Sequence, residues 1–106
     1  METPYPSRSH SIAELEELPI VLTWHARQRI RERGTSEEHV RLAVRIGCPE
    51  PARRGLFLYR LDVPFGGVWF GRSFSSMQVA PLVARERDRL VVVTVYTFFH
   101  PAEPAP

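Results

Sequence analysis

At 106 residues with 43% hydrophobic side chains, the chain has room for one domain and one modest core, and too much apolar content to stay unfolded. Its formal charge is only +2, yet all fourteen basic residues are arginine, whose planar fork grips phosphate or carboxylate through paired hydrogen bonds. A single cysteine, Cys48, excludes a disulfide framework and a cysteine metal site, and the apolar run Leu90–Val93 is far too short to span a membrane, so a reduced, cytoplasmic setting without a signal peptide is expected.

Residues 1–10 carry two prolines and little apolar content and read as a loose arm. Ser11-Ile12-Ala13-Glu14 has capping-box spacing and opens a short helix from Ile12 to Leu18, which Pro19 ends. Residues 1–18 therefore precede a single domain over residues 19–100. Pro19-Ile20-Val21-Leu22-Thr23 is an apolar, largely β-branched strand candidate, and Thr23 is placed to cap a helix from Trp24 to Arg33. Gly34 can take the left-handed conformation that closes it. Thr35 with Glu38 repeats the capping-box spacing and starts a second helix that runs to Ile46 and stops at Gly47. Val40, Ala43, Val44 and Ile46 form its apolar arc, Arg41 and Arg45 lie opposite, and Glu37 pairs with Arg41.

Cys48 to Gly55 reads as a loop. The period then changes to alternation, with Phe57, Tyr59 and Leu61 against Leu56, Leu58 and Arg60. Pro64 and Gly66-Gly67 are expected to turn the chain into a second strand, Val68 to Phe74. A third, Met77 to Ala84, contains Pro81, which points to a sheet edge or a bulge. Arg85 to Arg89 is a charged turn, and Leu90 to Phe99 is the strongest strand, expected at the centre of the sheet. Residues 101–106 are expected to be a disordered tail. The fold class is α+β, with two N-terminal helices packed on a three- to four-stranded antiparallel sheet.

The densest chemistry lies in the first main helix. A helix advances about 100° per residue. With His25 at zero, Arg29 and Arg33 fall at about 40° and 80°, beside it, whereas Arg27 and Arg31 fall at about 200° and 240°, away from it. A histidine and two arginines on one ridge suit phosphate chemistry: the imidazole exchanges protons near neutral pH, and guanidinium groups hold phosphate and offset developing charge. The same residues also fit a structural reading, with His25 hydrogen-bonded at the helix start and the arginines paired with Glu32, Glu37 or Glu38. Tyr96 on the last strand is either a core tyrosine or a hydroxyl presented beside the helix. His39 lies in the apolar arc of the second helix and reads as a packed histidine. No His-x-x-x-His, Cys-x-x-Cys or Gly-rich phosphate loop is present, so neither a metal nor a cofactor is expected. A free sheet edge would support a homodimer.

The segment His25-Ala26-Arg27-Gln28-Arg29-Ile30-Arg31-Glu32-Arg33-Gly34, followed by a capped helix, Gly47, the Leu56–Leu61 strand and Val92-Val93-Thr94-Val95-Tyr96, resembles the DUF4258 family. These are small bacterial proteins with a His-Ala-x-x-Arg-x-x-x-Arg-Gly motif. The resemblance covers roughly residues 22–97, and departs from the motif at Thr35, where an aliphatic residue is usual. The family is similar to the RelE/barnase-like toxin nucleases of toxin–antitoxin systems, which implies a RelE-like fold and metal-independent ribonuclease activity. RNA is then the implied substrate, and an antitoxin or inhibitor protein the implied partner. By position, His25 would transfer the proton, Arg29 would stabilise phosphate charge, Arg33 would be a second cation, and Tyr96 an acid or orienting hydroxyl. The competing readings are a non-catalytic nucleic-acid-binding module and a protein-interaction domain on a toxin-like fold.

Overall fold

The computed structural model describes residues 12–101, so the expectations for the arm, for Ser11 and for the tail after Pro101 lie outside the described residues. In chain order the elements are helix α1 (Ile12–Glu17), strand β1 (Ile20–Leu22), helices α2 (Trp24–Glu32) and α3 (Glu37–Ile46), and strands β2 (Cys48–Pro51), β3 (Phe57–Trp69), β4 (Arg72–Arg85) and β5 (Leu90–Pro101). The strands form one five-stranded sheet in the order β1-β5-β4-β3-β2. The class is α+β as expected, but the sheet is larger and mixed. β1 joins β5 in parallel, with Ile20 opposite Leu90, and Cys48–Pro51 forms an antiparallel edge strand on β3 where a loop was expected.

One apolar cluster fixes the layers. Ala26 and Ile30 of α2 and Val40, Ala43 and Val44 of α3 bury against Tyr59, Val63, Met77, Val79, Val83, Leu90, Val92 and Val95. Side chains alternate across a strand, so these positions define one covered face. Ala80 and Leu82 are also buried but stand outside that cluster, on the face away from the helices.

Local chemistry explains the joints. The Thr23 hydroxyl accepts from the Ala26 amide at 3.0 Å and donates to the Val93 carbonyl at 3.1 Å, so one side chain caps α2 and ties its start to β5. Gly34, at φ +73°, ends α2, and a side chain there would meet the Trp69 ring at 2.9 Å. The second cap departs from expectation. Ser36, not Thr35, accepts from the His39 amide, and α3 begins at Glu37. Thr35 instead turns inward, and its hydroxyl is buried with no hydrogen-bond partner among the described residues. Thr35→Val removes that unpaired oxygen at nearly constant volume, so it is expected to stabilise the protein by about 1 kcal/mol in urea unfolding. An unchanged or lower midpoint would show that the hydroxyl is satisfied.

Arg41 and Arg45, placed opposite the apolar arc, are not a free solvated face. Arg41 donates to the Ile20 carbonyl at 2.9 Å, and Arg45 donates to the carbonyls of Leu18 at 2.7 Å and Leu15 at 3.3 Å. The last carbonyls of a helix lack partners within it, and Arg45 supplies them for α1. The anticipated Glu37–Arg41 pair is present at 2.9 Å, and Arg27 reaches the same carboxylate at 2.8 Å. The hydrogen bond from Arg41, with the charge of Arg27, holds the Glu37 carboxyl below its usual pKa.

The β region corrects three further expectations. Pro64 and Gly66-Gly67 do not turn the chain: β3 runs through them, and a register shift between Pro64 and Gly67 absorbs the missing proline donor. The hairpin turns at Phe70-Gly71, with φ of +51° and +75°, the positive pair a tight two-residue turn requires. Pro81 lies in the central strand, β4, fully buried, with a register shift at the next residues, Leu82/Val83. The bulge is where proline suggests it, and the edge is not. β5 is not central either. β1 covers it only over Leu90–Val92, so from Val93 onward its outer edge faces no strand among the described residues. Pro101, expected in the tail, still pairs with Phe74.

Candidate functional site

α2 runs beside the uncovered edge of β5, from Thr23 at Val93 to Arg33 at Val95. Of the ridge His25, Arg29, Arg33, it is Arg33 that reaches that edge, through the Val95 carbonyl. His25 is exposed, and its Nε2 accepts from Arg29 Nε–H at a long 3.4 Å. In this geometry the accepting nitrogen carries the imidazole lone pair. Arg29 Nη1 is held by Glu32 at 2.5 Å, so the three side chains form the chain Glu32–Arg29–His25 along the helix. The ion pair is exposed and contributes orientation more than stability.

Arg33 is placed differently. As the C-cap of α2 it donates through Nη1 to the Val95 carbonyl at 3.1 Å, and its guanidinium lies 5.1 Å from the centre of the Tyr96 ring. Thr97 returns a bond, donating its hydroxyl to the Arg33 carbonyl at 2.9 Å. Thr97 thus faces the helices. Tyr96, one residue earlier and directly opposite Ala80, faces the other side of the sheet. Arg33 crosses the edge of β5 and connects the helix layer to the open face. His25 and Arg29 are brought together, Arg33 is joined to Tyr96, and no hydrogen bond links His25 to Tyr96 among the described residues.

The open face carries groups that the ridge did not predict. Arg60 pairs with Glu50 at 3.0 Å, donates to Gln78 at 2.8 Å and lies 5.7 Å from the Phe98 ring centre. Gln78 in turn donates to Asp62 at 3.2 Å. With Tyr96 and Phe98 these side chains make a polar and aromatic surface. The alternation in Leu56–Leu61 already set Arg60 on the face away from Tyr59, but Glu50, Gln78 and Phe98 join it only through sheet pairing. Arg27 is spent on Glu37, and Arg31 is exposed away from the ridge. His39 is half-buried on α3.

Among the described residues no three His, Cys, Asp or Glu side chains converge in a way that could hold a metal ion, and no helix is long and apolar enough to cross a membrane. Compared with family models, with curated proteins and with solved structures, the chain finds no match.

Proposed function

We propose that the protein is a toxin-type, metal-independent endoribonuclease of the DUF4258 kind, with a RelE-like fold, that takes RNA along the outer edge of β5. The observation that carries this reading is the exposed His25, its lone-pair nitrogen beside a guanidinium that Glu32 holds in place. The long Arg29 contact is one that a ribose hydroxyl can displace. His25 then takes the 2′-hydroxyl proton. The oxygen attacks phosphorus, the P–O2′ bond forms as the P–O5′ bond breaks, and the departing O5′ is protonated. Arg29, through the nitrogen not held by Glu32, offsets charge on the non-bridging oxygens. Arg33 adds a fixed cation at the edge, steadied by the Tyr96 ring, and because Tyr96 stands on the opposite face of the sheet the departing O5′ takes its proton from water.

The test is cleavage of a single-stranded RNA in the presence of a chelator. A 2′,3′-cyclic phosphate end is expected, and no cleavage where the attacking ribose is replaced by deoxyribose. Absence of cleavage, or cleavage of the deoxy-substituted strand, removes this reading. An antitoxin or inhibitor protein that covers the β5 edge would block it, and the same edge would pair two copies in a homodimer.

A second reading is a non-catalytic nucleic-acid-binding module. The Arg60–Phe98–Tyr96 surface favours it, because bases stack on aromatic rings without any proton shuttle. Its mark is affinity that falls steeply with salt and survives loss of His25. A protein-interaction domain is favoured by Phe70, 85% exposed at the hairpin tip.

A further inference from the structure

Where α3 ends, β2 starts and β4 turns into β5, the protein leaves a cleft of about 420 Å³. Small-molecule sites typically span roughly 300–1,000 Å³. None of His25, Arg29, Arg33 or Tyr96 lines it. Its apolar wall includes Val44, Ile46 and Leu90, its polar lining includes Arg45, Tyr59 and Arg85, and no acidic side chain among the described residues faces it.

The two arginines are not equivalent. Arg45 spends its terminal nitrogens on the carbonyls of Leu15 and Leu18. Arg85 lies with its guanidinium 3.6 Å from the centre of the Phe57 ring and donates only Nε–H, to the Tyr59 hydroxyl at 3.0 Å. Among the described residues, no carboxylate pairs with Arg85 and no acceptor takes its two terminal nitrogens. Tyr59 is buried at 5% exposure and accepts that bond, which leaves its own proton to donate. The stacked ring and the tyrosine hold the fork in one orientation before any ligand arrives. A half-buried guanidinium without a counter-charge lowers its free energy by taking an anion.

We propose that this cleft binds a small carboxylic acid with an apolar alkyl or aryl body. The carboxylate oxygens accept from the Arg85 fork and the Tyr59 hydroxyl, and the hydrocarbon lies against Val44, Ile46 and Leu90. The site is independent of the ribonuclease reading, because it shares no residue with the ridge.

Calorimetric titration of the full chain with sodium octanoate and with 1-octanol tests it. Octanoate is expected to saturate one site and to bind about tenfold or more tighter than octanol, the order of a charge-assisted hydrogen bond. Arg85→Met keeps an apolar chain on Phe57 and is expected to abolish that preference. Ile46→Trp changes a position that is 64% exposed, so the fold should stand while the cleft fills and octanoate binding falls about tenfold or more. Three results would each overturn the proposal: no saturable heat with octanoate at millimolar concentration, equal affinity for octanol, or a preference that survives Arg85→Met. If Arg85→Met does not fold, unchanged octanoate affinity in Ile46→Trp overturns it instead.

Discussion

Replacing His25 by alanine is expected to lower RNA cleavage by about two to four powers of ten, the usual worth of a positioned proton-transfer group. Thermal unfolding should barely move. His25 is exposed and its one side-chain hydrogen bond among the described residues is long, so the change is of the surface kind that stays within about 0.5 kcal/mol. That separation of activity from stability is what makes His25 the informative position. Arg33 does not offer it, because its guanidinium also holds the Val95 carbonyl and the Tyr96 ring, and its truncation would mix loss of charge with loss of structure. A His25→Ala protein that cleaves at the parent rate, with the parent requirement for a 2′-hydroxyl, would move proton transfer elsewhere. Full RNA affinity with no cleavage in either protein would favour the binding module.

Gly47→Ala is expected to destabilise the protein by about 3 kcal/mol, the upper end for overfilling a packed interior. A methyl group there would lie 2.4 Å from the Ala43 carbonyl oxygen and 2.9 Å from that of Arg60. Both are backbone atoms, so no side chain can swing aside. The cause is steric alone, because Gly47 has φ −71°, which any residue adopts. The junction is where α3 meets β3, and Arg60 belongs to the open-face network, so relief by backbone movement would disturb that network too. Urea unfolding measures the effect. A midpoint shift under about 1 kcal/mol would mean that the helix end and the strand can separate locally without loss.

Much of the helical layer was legible because its signals are local. Thr23 and Gly34 act on neighbours within a few residues, and α2 begins and ends where they require, while α3 stops at Gly47 although its φ of −71° is one any residue adopts. The choice between Thr35 and Ser36 as a cap was not legible, since both offer a hydroxyl at the right place and packing decides which one turns inward. In the sheet, β3 runs through its Pro64 and Gly66-Gly67 punctuation because pairing with β4 on one side tolerates a register shift, whereas local chemistry alone reads it as a turn. β5 is apolar on both faces without being central: its second face is left half-buried to exposed on the open side, with Phe98 45% exposed. The ridge was legible as a helical face. The position of Tyr96 was not, because it depends on which side of β5 the helices take.

The pairing of β1 with β5 has a consequence in time. Ile20 and Leu90 are neighbours in space but 70 residues apart in sequence, and α2 buries its apolar side largely on the same last strand. Chains emerge from the ribosome at about 5–20 residues per second, so the first strand and helix wait roughly 4–14 s for the surface they need. Until then Leu22, Ala26 and Ile30 lack the β5 side of the core they bury in. The docking of β1 on β5 is therefore a long-range closure, unlike the consecutive hairpins β3–β4 and β4–β5, and pairings of that kind form slowly.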